Sequence, residues 1–140
     1  MAEFNALVTD THPLLLHMAR STRLGPRAEA HFQACERRES IVYVPVVVVW
    51  ESCLLVQAGK VDLRPSPEQF FATLFSNPAY QPLDLTPAQV YLAHAVRPNR
   101  DPFDALICAA ARTLELPLVT RDRDIIDSGL EVVAWSSYLQ

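Results

Sequence analysis

The chain has 140 residues, a formal net charge of −4 at pH 7 and 50% hydrophobic residues. This length predicts one domain over residues 1–140, large enough to bury a core without a disulfide or a structural zinc ion. With three glycines in all, the chain lacks the spacings that dinucleotide-binding loops, phosphate-binding loops and nucleophile elbows require. Its three cysteines are widely separated, which predicts reduced thiols rather than a disulfide framework.

The sequence predicts neither a membrane-spanning segment nor an export signal. The longest uncharged apolar run, Ile41 to Trp50, is far shorter than the roughly 20 residues of a transmembrane helix. The first residues contain no basic region followed by an apolar stretch, so we expect no signal peptide. These features predict a cytoplasmic protein with no membrane partner.

The basic residues follow a pattern that the net charge conceals. The acidic net charge and a pI near 5.5 argue mildly against a nucleic-acid partner. However, every basic residue except Lys60 is an arginine, and several arginines crowd residues 20–38. The planar guanidinium group suits phosphate better than an ammonium group does. Residues 20–38 are therefore a candidate phosphate contact, with a solvated helix face or a protein interface as the alternatives.

In chain order, the first half of the sequence alternates strands with helices. The predicted strands cover residues 6–9 and 41–44, and the predicted helices cover residues 13–20, 26–36 and 46–58. Pro13 and Pro26 suit the first turn of a helix, where the missing N–H is not needed. Pro45 separates the second strand from a valine-rich run. We interpret that run as a helix ending before Gly59, although valine favours strands.

The second half continues the alternation. The predicted helices cover residues 67–76, 87–96 and 102–114, and the predicted strands cover residues 82–85, 116–120 and 131–134. Capping boxes with proline at the first helical position begin at Ser66 and Thr86, and Asp101 precedes a third helix. This alternation predicts an α/β fold with a parallel sheet covered on both faces. Apolar residues 14–16 and 70–75 suit either the core or a partner surface, and we assign them to the core.

Four acidic residues lie in distant segments that such a fold brings to one edge of its sheet: Asp10, Glu51, Asp104 and Asp122. Ligands of open α/β sheets bind outside the carboxyl ends of the strands. Two carboxylates about 5 Å apart repel by roughly 3 kcal/mol at an effective dielectric constant near 20. A cluster of four therefore has raised pKa values or binds a cation, and an all-oxygen ligand set favours Mg²⁺ or Mn²⁺.

Each of these acids also has a purely structural interpretation. Asp10 and Asp104 suit helix capping and favourable contact with a helix dipole, and Asp122 suits a turn. Glu51 is harder to explain in this way, because it lies in an otherwise apolar stretch where an unpaired acid is costly. The joint pattern, rather than any single residue, indicates a site.

Four segments in this order and spacing resemble the PIN-domain nucleases, and within them the VapC-type toxins of bacterial and archaeal toxin–antitoxin pairs. The matching segments are Val8–His12, Tyr43–Glu51, Asp101–Ile107 and Leu118–Asp122. The DPFD stretch followed about a dozen residues later by LVTRD is the most specific of these matches. The resemblance implies a three-layer α/β/α PIN-like domain with a short central parallel sheet.

The resemblance also implies an activity, a metal site and partners. It implies a Mg²⁺- or Mn²⁺-dependent endoribonuclease that cuts single-stranded or loop RNA, is blocked by a small cognate antitoxin and forms homodimers. The acidic quartet of the family, which serves as metal ligands and catalytic groups, maps onto Asp10, Glu51, Asp104 and Asp122. Thr11 and Thr120 match hydroxyl positions close to that quartet.

The chain departs from the family pattern without losing a carboxylate. Many relatives have Ser near Pro45, a His where Asn99 and Arg100 stand, and an Arg where Ala105 stands. The resemblance therefore does not define the RNA choice of this chain or the hydrogen bonding around its acids.

Three arginines flank the acids in sequence: Arg100, Arg121 and Arg123. They are candidates for binding substrate phosphates, with pairing to nearby aspartates as the alternative.

Two other function classes are compatible with parts of the pattern. A phosphatase with Asp10 as nucleophile would need a second Asp two residues later, where this chain has His12. A catalytically inactive relative that binds RNA or an antitoxin is the stronger alternative, and the intact quartet argues against it.

Overall fold

In a computed structural model of the protein, the structure describes residues 6–130 and the backbone of residues 132–133. The strands are β1 (Ala6–Thr9), β2 (Ile41–Pro45), β3 (Tyr80–Leu83), β4 (Leu118–Val119) and β5 (Val132–Val133). They form one sheet in the order β3-β2-β1-β4-β5, and every pairing in it is parallel. The predicted α/β class with a short central parallel sheet is confirmed.

Helices connect the strands throughout the described residues. They are α1 (Thr11–Met18), α2 (Pro26–Glu36), α3 (Val46–Gln57), α4 (Pro67–Phe75), α5 (Pro87–Val96), α6 (Pro102–Leu114) and α7 (Arg123–Asp127). Among these helices, none combines the length and apolar character needed to span a bilayer.

The valine-rich run forms helix α3, as the position of Pro45 predicts. Val47 and Val48 are buried, so packing outweighs the intrinsic preference of valine for strands. The helix ends at Gln57 with Ala58 as its C-cap, and the next residue, Gly59, has a φ of +74°. The backbone N–H of Gly59 donates to the carbonyl of Val56 at 3.0 Å, and that of Lys60 donates to Leu55 at 2.9 Å. These bonds satisfy carbonyls that the end of a helix leaves without partners.

The predicted starts of α4, α5 and α6 are confirmed, and each of these helices has a capping side chain. Ser66 Oγ accepts from the backbone N–H of Gln69 at 3.1 Å, and Thr86 Oγ1 accepts from Gln89 at 3.2 Å. Asp101 Oδ1 accepts from the backbone N–H of Phe103 at 2.8 Å. A helical proline follows each cap, in agreement with the sequence.

Several predicted boundaries are wrong. Helix α1 begins at Thr11 rather than at residue 13, because Asp10 caps it directly, and β4 is shorter than residues 116–120. Strand β3 begins at Tyr80 rather than at residue 82. Pro82 lies inside it, which an edge strand tolerates because the missing N–H can face away from the sheet. Helix α7 was not predicted. The ends of the predicted strand 131–134 lie outside the described residues.

The core lies on the sheet and against α6. The strand residues Leu7, Val42 and Leu118 are fully buried, as are Ile107 and Cys108 of α6. Residues 14–16 are buried, and residues 70–75 are partly so, with Phe71 and Leu74 inside the core. The assignment of these segments to the core is confirmed for most of their side chains. All three cysteines are free thiols, as predicted.

A buried histidine links helix α1 to helix α2. His17 is 8% exposed, and its ring is stacked on that of Phe32 with 4.7 Å between the centroids. Its Nδ1 lies 2.8 Å from Glu29 Oε1, and its Nε2 lies 2.7 Å from Glu36 Oε2. The hydroxyl of Tyr80 donates to the same Glu36 oxygen at 2.8 Å, which extends the network to β3.

Candidate active site

The four predicted acidic side chains line one cavity of about 250 Å³ at the carboxyl edge of the sheet. Asp10 and Asp122 lie just beyond β1 and β4, whereas Glu51 and Asp104 lie on α3 and α6. Strands that run parallel end at the same edge, which is why residues so distant in sequence meet there.

Asp10 is held by two hydrogen bonds at the end of β1. Its Oδ1 accepts from the backbone N–H of Thr11 at 2.8 Å, and its Oδ2 accepts from Thr120 Oγ1 at 2.7 Å. The side chain is 7% exposed. Burial raises the pKa of Asp10 above its ordinary value, although the bonds from Thr120 and Thr11 oppose that change. Asp10 therefore caps α1 and lines the cavity at the same time, so its two interpretations are compatible.

Glu51 lies in the second turn of α3 and is joined to Asp10 through Thr11. Thr11 Oγ1 donates to Glu51 Oε1 at 2.6 Å, while the Thr11 backbone N–H donates to Asp10. Burial raises the pKa of Glu51, the bond from Thr11 lowers it and the charge of Asp10 raises it. Thr11 is fully buried, so it fixes the relative position of these two acids.

Asp104 lies in the first turn of α6 and is 8% exposed. Asn99 Nδ2 donates to Asp104 Oδ2 at 2.8 Å. Burial raises the pKa of Asp104 to about 7. The bond from Asn99 opposes this shift, and the charges of Asp10, Asp101 and Asp122 add to it. This bond from Asn99 fixes the orientation of the Asp104 carboxylate.

Asp122 connects the cavity to helix α7. Its Oδ1 accepts from the backbone N–H of Ile125 at 3.1 Å and caps the helix. Its own backbone N–H donates to Thr120 Oγ1 at 3.0 Å. The hydroxyl of Thr120 therefore bridges Asp10 and Asp122, and the turn interpretation of Asp122 is compatible with its place in the cavity.

The three candidate arginines occupy different positions. Arg121 lines the acidic cavity. Arg100 instead lines a neighbouring cavity between α5 and α6, and Arg123 begins α7 and is exposed. Sequence reasoning missed His12 and Asp101 as further lining residues. His12 lies in the segment Val8–His12 and Asp101 lies in the segment Asp101–Ile107, both of which resemble the family. Their place in these segments is the sequence signal that could have identified them as lining residues.

The four acids offer carboxylate oxygens, which are the ligands that hard divalent cations such as Mg²⁺ prefer. The negative charges of neighbouring acids raise the pKa values of Glu51 and Asp104, and a cation would offset that repulsion. Among residues 6–130, however, no three His, Cys, Asp or Glu side chains are arranged so that they could together hold a metal ion. Several of the carboxylate oxygens are directed toward Thr11, Thr120 and Asn99. The residue types fit Mg²⁺ or Mn²⁺, and their present spacing does not form a complete ligand set.

A family model described as the PIN domain matches residues 7–129. The chain belongs to the PIN domain family. The match spans all four acidic residues of the cavity, the strands β2 to β4 and all of β1 except Ala6. No curated protein sequence matches the chain.

Solved structures share this PIN fold over nearly the whole chain. VapBC2 from Rickettsia felis, bound to a DNA fragment from its promoter, has a TM-score of 0.64 and 11% identity and covers 92% of this chain and 97% of its own. FitAcB from Neisseria gonorrhoeae has a TM-score of 0.64 and 17% identity, with coverages of 91% and 96%. VapBC-5 from Mycobacterium tuberculosis, a member of the VapBC family of toxin–antitoxin systems, has a TM-score of 0.54 and 20% identity, with coverages of 89% and 91%. Such low identities show a shared fold.

Proposed function

We propose that this PIN domain protein is a VapC-like toxin, a Mg²⁺- or Mn²⁺-dependent endoribonuclease that hydrolyses RNA phosphodiester bonds as one domain. The observation that carries the proposal is the convergence of four carboxylates from distant segments on one cavity of about 250 Å³. Capping accounts for Asp10 and Asp122 individually, but it does not explain why Glu51 and Asp104 lie in the same cavity.

The electrostatics of the cavity support a bound cation. Burial and neighbouring negative charge raise the pKa of Glu51 and of Asp104, so full ionisation of the cluster is unfavourable without a positive partner. The residues that would hold Mg²⁺ or Mn²⁺ are Asp10, Glu51, Asp104 and Asp122. When bound, such an ion activates water and stabilises negative charge on phosphodiester oxygens.

The remaining polar residues position the acids and the substrate. Thr11 holds Glu51, Thr120 holds Asp10, and Asn99 holds Asp104, each through a hydrogen bond no longer than 2.8 Å. Arg121 lines the cavity and supplies a guanidinium group for the substrate phosphate. Arg100 contacts the RNA outside the cavity, because it lines the neighbouring cavity.

The proposed partners are a small cognate antitoxin that covers the acidic cavity and a second copy of this chain. The antitoxin is supported by the solved structures of VapBC2 and VapBC-5, which carry the names of toxin–antitoxin assemblies. Homodimerisation is supported by two large apolar side chains that are exposed, Trp50 of α3 at 56% and Tyr91 of α5 at 73%.

An RNA cleavage assay tests the proposed activity. We expect the purified protein to cut a single-stranded RNA in Mg²⁺ or Mn²⁺ and to lose that activity in EDTA. Asp104→Asn should cleave at least a hundredfold more slowly, while Asp84→Asn, at an exposed position outside the cavity, should match the wild type. Cleavage that persists in EDTA, or that Asp104→Asn does not affect, would contradict the proposal.

A catalytically inactive PIN-like module that binds RNA or an antitoxin is the second candidate. The observation that favours it is the lack of a complete metal-ligand arrangement among residues 6–130. This alternative predicts RNA or antitoxin binding that neither metal nor Asp10→Asn changes, together with no cleavage under any metal condition.

A further inference from the structure

A second cavity of about 360 Å³ lies between helices α5 and α6, beside the acidic cavity. Its volume falls in the range of about 300–1,000 Å³ that small-ligand sites occupy. The two cavities share Asp101 in their walls. They are also linked through Asn99, which lines the second cavity and donates to Asp104 in the first.

The floor of this second cavity is apolar. It is lined by Val90 and Ala93 of α5 and by Ala105 and Leu106 of α6, and the two alanines belong to one packed cluster. The alanines are 5% and 6% exposed, whereas Val90 is 43% exposed and lies where solvent can reach it. A flat, weakly polar group such as a nucleobase gains apolar contact on such a surface.

The rim of the same cavity is basic. Arg97, Arg100 and His94 line it, and the guanidinium groups suit the phosphates of a nucleotide chain. The one acid in its wall, Asp101, is engaged in capping α6 through its bond from the backbone N–H of Phe103. An apolar floor with arginines around it is complementary to one unpaired nucleotide: the base rests inside and the flanking phosphates lie at the rim.

We propose that the cavity between α5 and α6 binds an unpaired nucleotide of the RNA next to the bond being cut. This inference rests on the proposed nuclease function and adds a binding subsite to it. A base in a duplex is stacked and paired and so cannot enter the cavity, which gives the protein a preference for single-stranded or loop RNA. Arg100 is then a specificity-determining residue, although it does not line the acidic cavity.

Two pairs of variants test the subsite in an Asp104→Asn background that leaves the RNA intact. Val90→Trp should fill the cavity, and its matched control Ala95→Trp adds the same ring at an exposed position of α5 outside the lining. Arg100→Ala removes a rim charge, and Arg112→Ala removes one from an exposed position of α6. The readouts are fluorescence anisotropy of a labelled 12-nucleotide single strand, the same strand as a duplex, and amide NMR shifts with adenosine 5′-monophosphate.

We expect Val90→Trp and Arg100→Ala each to weaken single-strand binding about tenfold, with less than a twofold change in either control. If the single strand binds and all four variants behave alike, the subsite is overturned while the nuclease proposal stands. If duplex RNA binds as tightly and responds to the same variants, the requirement for an unpaired base is overturned.

A further outcome separates the subsite from the nuclease. If the wild type cleaves no RNA but the mononucleotide shifts amide signals of α5 and α6, and Val90→Trp abolishes these shifts, the subsite stands without the nuclease. Failure of both RNA and mononucleotide to bind would overturn the inference.

Discussion

The hydroxyl of Thr120 donates a 2.7 Å hydrogen bond to Asp10 Oδ2, between two residues that follow adjacent strands of the sheet. The same hydroxyl accepts the backbone N–H of Asp122 at 3.0 Å. Thr120 is fully buried, so water cannot replace either bond. One side chain thus sets the position of two of the four acids in the cavity.

Thr120→Val should therefore affect both stability and cleavage. Valine keeps the shape of the side chain but removes a donor and an acceptor from buried partners, which costs about 1–3 kcal/mol of unfolding free energy. We expect cleavage to fall at least tenfold, because Asp10 and Asp122 lose their common anchor. Urea unfolding and the RNA assay measure the two effects. Thr120→Ser, which keeps the hydroxyl, should recover most of both, and equal losses in the serine variant would contradict this role.

Asp10→Asn should separate the chemical role of Asp10 from its capping role. Asparagine caps helices about as well as aspartate does, and the change removes a charge whose burial is unfavourable. We expect cleavage to be abolished while the metal-free melting temperature stays equal or rises.

Asp10→Ala provides the comparison for this prediction, since it removes the cap as well. It should lower the free energy of unfolding by about 0.5–2 kcal/mol relative to Asp10→Asn. A large loss of melting temperature in Asp10→Asn with intact cleavage would leave Asp10 with a capping role alone.

The sequence predicts the acids of this cavity better than it predicts the side chains that hydrogen-bond to them. Each acid is marked locally: Asp10 and Asp122 follow apolar strands, Asp104 follows a capped proline, and Glu51 interrupts an apolar stretch. The bond between Thr120 and Asp10 spans 110 positions and depends on which strands become neighbours, which no local pattern shows. The sequence also does not reveal that Arg100 faces a cavity different from the one that Arg121 lines.

The missed secondary structure has a similar cause. Helix α7 has five residues, too few for a hydrophobic period to be visible, and it depends on the cap that Asp122 supplies. The start of β3 is fixed by its pairing with β2 and by the bond of Tyr80 to Glu36. These contacts involve residues distant in sequence, so local propensity misplaced the strand.

The raised pKa of Asp104 predicts a pH dependence of stability in the metal-free protein. The folded-state pKa is about 7, above the ordinary value of 3.8, so the folded protein retains a proton that the unfolded chain releases. This contribution to stability is fully present below about pH 3.8 and is lost as pH rises through 7. After allowance for screening at the open cavity, it amounts to about 1–3 kcal/mol.

Urea unfolding of the wild type and of Asp104→Asn between pH 4 and 8, in EDTA, isolates this contribution. Groups far from Asp104 titrate alike in both proteins and cancel in the difference between the two curves, which reports Asp104 and the acids coupled to it. The stability of the wild type relative to the variant should fall as pH rises. A difference that is constant, or that grows with pH, would show that Asp104 is not held in its neutral form.

Glu36 predicts a pH dependence of stability with the opposite sign, because its pKa is lowered rather than raised. Burial disfavours its charge, yet hydrogen bonds from His17 and Tyr80 and the charge of His17 outweigh this effect and lower its pKa. The stabilisation is present above the ordinary value of 4.5 and is lost as pH falls through the lower folded-state pKa. Glu36→Gln should destabilise the protein by about 1 kcal/mol at pH 7 and by less near pH 3.

The control for Glu36 is Glu68→Gln, in the exposed first turn of α4. It should leave the free energy of unfolding nearly unchanged at both pH values. A loss in Glu36→Gln that is equally large at pH 3 would mean that shape, rather than charge, holds α1 against α2.

Thermal unfolding in millimolar Mg²⁺ or Mn²⁺ tests most directly whether the four acids form a cation site. Binding to the folded state alone stabilises it by about 2.7 kcal/mol when the ion is at a hundred times its dissociation constant. We predict a melting temperature that rises with metal concentration in the wild type and in Asp84→Ala, and no rise in Asp104→Ala. A wild-type protein that shows no metal-dependent shift, or an equal shift in Asp104→Ala, would contradict the account.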